Sequence, residues 1–201
     1  MKKSIIFTGV LLLIIAVFVA GCTSNSPAST ATPVPTTPQL STVDPSDMAL
    51  ALSDVPAGFT IKEGSEKTTS DMSQEALANG WKKGYDVEFQ RMNTATQDYE
   101  ILEQTISVYP ISNLNQVMTE ATTETLQKAN ATTTVEQLSD PKIGDSSKAF
   151  RIKTSYLGVP VTSFSIYFIK KDVYEGLVIG GTSADYETLK GLANVSASKI
   201  R

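Results

Sequence analysis

The chain is 201 residues long and carries 17 Lys and Arg residues, 21 Asp and Glu residues, no histidine and a single cysteine. A net acidic protein does not attract phosphate backbones, so we expect no nucleic-acid partner. Without histidine the protein lacks the usual general base near neutral pH and the nitrogen ligands of metals. Once Cys22 is modified no free thiol remains, which excludes a thiol nucleophile, disulfides and sulfur ligands of metals. We therefore expect no metal and no cofactor. A hydrophobic fraction of 41% is enough for one core of ordinary size.

The first 22 residues have the organisation of a secretory signal peptide. Lys2 and Lys3 form a basic start, an apolar stretch runs from Ile5 to Ala20, and small residues lead to the cysteine in the string Val19-Ala20-Gly21-Cys22. That string resembles the lipobox of prokaryotic lipoproteins. The resemblance implies a signal peptide over residues 1–21, cleavage between Gly21 and Cys22, and lipidation of Cys22, with two acyl chains such as palmitate needed for stable anchoring.

An uncleaved signal anchor is the alternative interpretation of this segment. The apolar stretch holds about 16 to 18 residues, which comes close to the ~20 that span a bilayer. In both cases Lys2 and Lys3 stay in the cytoplasm and the remaining chain faces outside, held at the cell membrane. Without residues 1–21 the protein has 15 Lys and Arg against 21 Asp and Glu, a formal charge of −6.

Residues 22–43 are predicted to be a disordered linker. After Cys22 the composition is dominated by Ser, Thr, Pro and Ala, which supply too little apolar surface to offset the entropy lost on ordering. Proline keeps such a segment extended, so it serves as a spacer between the membrane and the folded part. We expect one globular domain over residues 44–201.

The first half of this domain shows two helical segments and three strands. A short helix is expected from Ser46 or Asp47 to Leu52, a strand over 59–62, and a helix over 71–79 capped by Ser70. Alternation of apolar and polar residues predicts a strand over 85–92, paired as a hairpin with a second strand over 99–109.

The second half continues with four strands and two helices. A helix is expected from Ser112 to Lys128, where apolar residues recur at helical spacing. Strands are expected over 133–138, 149–156, 161–170 and 173–179, and Ser183 or Asp185 begins a C-terminal helix. Connections of hairpin length favour an α+β fold with a mostly antiparallel sheet of about six strands and helices packed on it.

Several segments contain residue types that can carry chemistry, but each has a simpler structural explanation. The two Ser-x-x-Lys matches, Ser139 with Lys142 and Ser196 with Lys199, lack the further elements of a serine acyl-enzyme, so we expect no catalysis there. Asp140 and Asp145 could bind calcium, but a capped turn is favoured because the spacing of an EF-hand is missing. We therefore assign no catalytic residue and no metal ligand.

Other candidates lie on the predicted strands and turns. Glu88, Glu100 and Glu103 could form a carboxylate pair of the kind used in glycoside chemistry, although solvated strand faces carry glutamate routinely. Gly180 and Gly181 before a helix suggest a phosphate cradle only faintly, because the P-loop lysine is missing. Exposed aromatic residues could stack on a ligand, although most are expected to be half-buried strand residues. They are Tyr85, Tyr99, Tyr109, Tyr156, Tyr167, Tyr174 and Trp81.

Two sequons begin at Asn130 and Asn194 and would be N-glycosylation sites if the host modifies secreted asparagine. We expect Asn130, at a helix end, to be the better acceptor.

The signal, the lipobox and the Thr/Pro-rich linker together resemble those of surface lipoproteins from methanogenic archaea. Three downstream elements are also similar to parts of small secreted lipoprotein domains of unknown function, some of which resemble the PsbP/Mog1-like α+β fold. These elements are Leu52-Ser-Asp-Val-Pro-Ala-Gly-Phe59, Ile143-Gly-Asp-Ser-Ser147 and a strand pair leading to the C-terminal helix. The resemblance implies a fold and a cellular location, and it supplies no catalytic residues.

We therefore expect a membrane-anchored extracytoplasmic lipoprotein that is a non-enzymatic binding or accessory module of the cell envelope. Its partners would be membrane lipid through Cys22, and an envelope protein or a small ligand through the folded domain. The alternatives are a hydrolase that uses carboxylates or serine, and a purely structural envelope component. A cleft with converging acids would favour the hydrolase.

Overall fold

The computed structural model describes residues 40–95, 98–156 and 158–201. The predicted signal peptide, the cleavage and lipidation positions Gly21 and Cys22, and the linker as far as residue 39 lie outside the described residues. Leu40 and Val43 pack against the main hydrophobic core. The described residues pack into a large and a smaller hydrophobic cluster, each with buried side chains, and we expect residues 40–201 to fold when produced alone.

The described residues form seven strands and four α-helices. The strands are β1 (Thr60–Lys67), β2 (Lys83–Asn93), β3 (Asp98–Val108), β4 (Thr134–Gln137), β5 (Ser146–Tyr156), β6 (Val159–Lys170) and β7 (Val173–Gly181). The helices are α1 (Pro45–Met48), α2 (Gln74–Ala78), α3 (Leu114–Gln127) and α4 (Tyr186–Lys199), with 3-10 turns at Thr69–Asp71 and Ile111–Asn113.

All seven strands belong to one antiparallel sheet with the order β1-β2-β3-β7-β6-β5-β4. Two runs of sequential hairpins, β1 to β3 and β4 to β7, meet where β3 pairs with β7. The expected α+β architecture with a mostly antiparallel sheet is confirmed. The sheet has seven strands rather than about six, because all seven predicted strand segments pair, including the short β4 and the exposed β1.

One face of the sheet, called the covered face below, is packed by α1 and α4. It presents residues that are completely buried, among them Phe89, Leu102, Ile106, Phe168 and Leu177. Because side chains alternate along a strand, the residues between these belong to the second face.

The described residues cover the second face at one end only. There α3 packs on β6 and β7 through a smaller cluster that includes Tyr109, Leu114, Met118 and Ile169. Trp81 belongs to the same cluster, and its indole N–H donates to Ser107 Oγ at 3.2 Å.

Several element boundaries differ from the expectations. The predicted helix to Leu52 ends at Met48, because the Leu50 N–H donates to Gln104 Oε1 of β3 at 2.7 Å and the chain leaves the helical path. The predicted strand over 59–62 extends to Lys67, where pairing with β2 continues although every residue but the last is exposed.

The helix caps also differ in part. α2 is capped by Ser73, whose hydroxyl accepts from Ala76 N at 3.1 Å, and not by Ser70. Ser112 bonds Asn113 instead of capping α3. The predicted cap of α4 at Asp185 is confirmed, since its carboxylate accepts from Thr188 N at 2.7 Å.

Candidate functional site

The uncovered part of the second face is the candidate functional site, and it is called the open surface below. It is formed by β1, β2 and β3 together with parts of β6 and β7. Its residues are Glu63, Ser65, Asp86, Glu88, Tyr99, Ile101, Glu103, Thr105, Val161, Ser163, Val178 and Gly180.

Three glutamates of the open surface form a row across the strands. The register places Glu63 of β1 opposite Glu88 of β2, and Glu88 opposite Glu103 of β3. Neighbouring strands lie about 4.8 Å apart, so three carboxylates follow one another at close spacing on one face. Asp86 lies one position along from Glu88 on the same face, opposite Thr105.

A β-bulge brings a lysine into this row. The register shifts between Ile61 and Glu63, so Lys62 is the extra residue and both Lys62 and Glu63 lie near Glu88. Lys62 Nζ is 2.8 Å from Glu88 Oε1, and the hydrogen bond and charge of Glu88 raise the pKa of this lysine. Among the described residues, neither Glu63 nor Glu103 has a lysine or arginine nitrogen within 4.0 Å.

The environment of Glu103 opposes its ionisation. Glu103 is exposed at the surface, but partial desolvation of its carboxyl raises its pKa, and the charges of Glu88 and Asp86 raise it further against the weaker opposing charges of Lys62 and Lys128. Asp86 Oδ2 is bound by Lys67 Nζ at 2.5 Å, but its buried Oδ1 has no hydrogen-bond partner. The acidic side chains therefore carry more negative charge than the nearby lysines neutralise.

Two shallow cavities lie side by side on the open surface and share Glu103. The first cavity has a volume of about 210 Å³ and is called the acidic half below. It is lined by the four acidic residues Glu63, Asp86, Glu88 and Glu103. The second has a volume of about 190 Å³ and is lined by Tyr99, Ile101, Val161 and Val178, called the apolar half.

Gly180 keeps the apolar half shallow and open. A Cβ atom at this position would lie 2.8 Å from Ser163 Oγ, which is closer than side chains tolerate. The following Gly181 has φ +146, and a Cβ there would lie 2.0 Å from the Tyr99 carbonyl oxygen. Gly180 and Gly181 therefore serve close packing of β7 on its neighbours and a strand-to-helix turn, as expected, and not a phosphate cradle.

The three glutamates considered from the sequence separate into two groups. Glu88 and Glu103 come together on the open surface. Glu100 lies on the covered face, where its side chain is 3% exposed and is bound by Arg91 Nη2. It cannot join a pair with Glu103, because three residues along a strand reverse the face.

The Ser-x-x-Lys matches have structural roles. Ser196 is fully buried in α4 and donates to Glu175, while Lys199 Nζ donates to the Ala49 carbonyl at 2.7 Å and to Asp54 at 2.6 Å. Asp140 accepts hydrogen bonds from Lys142 N at 2.9 Å and from Ser147 Oγ.

Asp140 and Asp145 cap turns, as expected. The hydrogen bond from Ser147 lowers the pKa of Asp140, and Asp145 accepts from Lys171 N at 2.7 Å. Within residues 40–95, 98–156 and 158–201 no group of three acidic or sulfur side chains is arranged to hold a metal ion.

Most of the aromatic candidates that the structure describes are packing residues. Tyr109, Trp81, Tyr167 and Tyr174 belong to the cluster under α3 or pack against it. Tyr99 lines the apolar half and remains the aromatic candidate for ligand contact.

The two sequons have different surroundings. Asn130 lies in an exposed turn, where its Oδ1 accepts from Thr132 N at 2.8 Å. Asn194 is exposed on α4, but the hydroxyl of its partner Ser196 is buried.

A buried polar network on the covered face was missed from the sequence. Glu175 of β7 is completely buried, and its Oε1 accepts hydrogen bonds from Gln104 Nε2 at 2.5 Å and from Ser196 Oγ. Its Oε2 accepts no hydrogen bond from any described residue, and burial raises the pKa of Glu175 to about 7. The strand alternation puts Glu175 on the same face as Val173 and Leu177, which was the available signal.

In the described part of the chain, no helix has the length and apolar character needed to cross a membrane. No protein-family model and no curated protein matches this chain. Among solved structures, the chain is similar to the extracellular domain of PknH from Mycobacterium tuberculosis. The two are 8% identical with a TM-score of 0.55, and the match covers 77% of this chain and 93% of that one. At this identity the likeness shows a shared fold.

Proposed function

We propose that this protein is a lipid-anchored extracytoplasmic module that works by binding a ligand or an envelope protein on its open surface. The single observation that carries the binding role is the uncovered half of a sheet face. It presents two adjoining cavities, one acidic and one apolar, on a rigid antiparallel scaffold. Binding sites are typically concave, with apolar walls and a few placed polar groups.

The membrane location is supported by the sequence of the first 43 residues. The lipobox-like string ending at Cys22 supplies the anchor, and the Pro- and Thr-rich linker supplies a spacer. The fold shared with the extracellular domain of PknH fits a domain that works outside the cytoplasm. The PsbP/Mog1-like relationship and the domain limits 1–21, 22–43 and 44–201 belong to the same proposal, except that Leu40 and Val43 pack against the core and so belong to the folded domain.

The anchor is tested by replacing its cysteine. A Cys22→Ser variant should leave the membrane fraction and appear in the soluble fraction or the medium, because lipid can no longer be attached. A Ser24→Ala variant, two residues away, should stay in the membrane fraction. Membrane retention of the cysteine variant would contradict lipidation and favour the uncleaved signal anchor.

The binding role is tested by blocking the open surface. Thermal unfolding of residues 40–201 is followed with basic peptides, neutral oligosaccharides and an envelope extract, since a ligand of the native state raises the melting temperature. Ser65→Trp fills the acidic half, whereas Glu66→Trp places the same bulk on the opposite face of the same edge strand. Ser65→Trp should abolish the rise and Glu66→Trp should keep it. A rise that survives in both variants, or no rise with any sample, would contradict the proposal.

A carboxylate-based glycoside hydrolase is the second candidate function, and one observation favours it. Glu88 and Glu103 are direct cross-strand neighbours on one face, and their surroundings differ: Lys62 neutralises Glu88, while partial desolvation raises the pKa of Glu103. Retaining glycosidases use two carboxyl groups about 5 Å apart in unlike environments.

The hydrolase is tested with chromogenic glycosides and reducing-sugar assays. Activity lost in both Glu103→Gln and Glu88→Gln, and kept in Glu66→Gln, would establish it. No turnover of a broad panel, with binding intact, would support the binding module.

A further inference from the structure

We propose that the open surface binds an extended segment of an envelope protein in which basic side chains are followed by apolar ones. This inference rests on the proposed function, because it names the chemistry of the ligand for the same surface.

The acidic row is arranged at a cost to the folded protein. Like charges directly opposite each other on neighbouring strands are destabilising. The row Glu63–Glu88–Glu103 holds three such groups, and within the described part of the chain only Glu88 forms an ion pair with a lysine. A local arrangement that opposes stability is expected where a site serves binding. Cationic groups of a partner would relieve this repulsion.

The apolar half sets the second requirement. Val161 is only 9% exposed and Tyr99, Ile101 and Val178 are half-buried around it, so the walls of this depression of about 190 Å³ are mostly apolar and suit aliphatic side chains. The acidic half centres on β2 and the apolar half on β7, two strands away, which corresponds to about 10 Å. Three to four residues of an extended chain cover that distance.

The positions of the two halves on the sheet determine the direction in which the bound segment runs. The acidic half lies over β1 to β3 and the apolar half over β3, β7 and β6, so the ligand crosses the strands rather than running along one of them. A segment with two basic side chains, then two aliphatic ones, all on one side, matches this order. A segment of alternating residues provides this, because its side chains point to one side at every second position.

The test uses a labelled peptide with the sequence Lys-Ser-Lys-Ser-Val-Ser-Val and residues 40–201, with binding measured by fluorescence anisotropy. The peptide should bind, and more weakly as salt is added. A peptide with Glu in place of Lys should not bind. The Glu63→Gln/Glu103→Gln variant should lose about ten-fold in affinity.

The matched control removes the same charge elsewhere. Glu66 and Glu187 are both exposed, Glu66 on the opposite face of β1 and Glu187 on α4. The Glu66→Gln/Glu187→Gln variant should bind within about two-fold of the original protein. Val178→Thr should weaken the valine-containing peptide more than one with serine at those positions.

Three results would overturn the inference: no binding of the basic peptide, an equal loss in both double variants, or equal binding of the acidic peptide. An oligosaccharide that binds the open surface in place of the peptide would also overturn it. These failures differ from failure of the proposed function. If another ligand raises the melting temperature and Ser65→Trp abolishes the rise, the binding module stands without the basic segment.

Discussion

The two faces of the sheet are built from the same strands but differ in how their side chains are packed and paired. On the covered face, residues such as Phe89 and Phe168 are completely excluded from water, and Gln104 and Ser196 both donate to Glu175 Oε1. On the open surface, Glu63 and Glu103 lie beside other carboxylates, and among the described residues no lysine or arginine nitrogen comes within 4.0 Å of either. The comparison shows that packing determines one face, whereas the other is not optimised for stability.

The largest expected difference concerns side-chain truncation. Phe168→Ala should lower the free energy of unfolding by about 3–5 kcal/mol, because it leaves a cavity in the covered face. Ile101→Ala on the open surface should cost about 1 kcal/mol or less, since its side chain is only partly buried. Urea unfolding of both variants measures this. Equal costs would show that the open surface is part of the core.

Removal of a cationic side chain should also lower the free energy of unfolding much more on the covered face than on the open surface. Arg91→Ala should cost about 2–4 kcal/mol, because it leaves Glu100 buried without its partner and removes the guanidinium stacked 4.8 Å from the Phe59 ring. Lys62→Ala, which removes the exposed partner of Glu88, should change the free energy of unfolding too little to resolve. The comparison fails if Lys62→Ala is as destabilising as Arg91→Ala.

The third expected effect is a pH dependence that arises from Glu175. Its pKa of about 7 in the folded protein lies above the ordinary value of 4.5, so the folded state binds more protons between these values. Stability from this group is therefore full below about pH 4.5 and is lost as pH rises to about 7. Glu175→Gln should remove this loss and be more stable than the original protein at pH 8, by an amount on the order of 2 kcal/mol.

Melting temperatures at pH 5 and pH 8 test this effect. Asp185→Asn is the control: hydrogen bonds from Thr188 lower the pKa of Asp185, so this group stays ionised from pH 5 to pH 8. Its replacement should therefore leave the difference between the two melting temperatures unchanged. A Glu175→Gln variant with the same pH dependence as the original protein would show that Glu175 does not titrate in this range.

The smallest expected effect is a gain in stability. Glu103→Gln should raise the free energy of unfolding by a few tenths of a kcal/mol, up to about 1, because it removes like-charge repulsion from Glu88 and Asp86. The gain should shrink in high salt. Urea unfolding at two salt concentrations measures it, with Glu66→Gln as the control. A loss of stability would mean that Glu103 has a structural role.

Much of the fold follows from local patterns in the sequence. The alternation from Tyr85 to Met92 identifies β2, and a short polar connection joins it to β3. Asp185 identifies the start of α4, since its side chain can accept an early backbone N–H. The full length of β1 could not be predicted, because a strand exposed on both faces has no alternation of apolar and polar residues.

The candidate site is only partly encoded in such patterns. Counting positions along β3 shows that Glu100 and Glu103 face opposite ways, so the sequence alone could have separated them. The bulge at Lys62 and the pairing of β3 with β7 depend on contacts between distant segments. The apolar half arises from that pairing, and for this reason it was not foreseen.

The most direct test of the binding surface is an NMR titration of ¹⁵N-labelled residues 40–201. The basic peptide and a neutral hexasaccharide are added in turn, and shifts of the backbone amides are mapped onto the sheet. The amide signals of the open surface, centred on Glu88, Glu103 and Val178, should shift when the basic peptide is added, and those of α1 and α4 should stay unchanged. Shifts confined to α1 and α4, or the lack of shifts with both ligands, would contradict the claim that the uncovered half of the sheet is the binding surface.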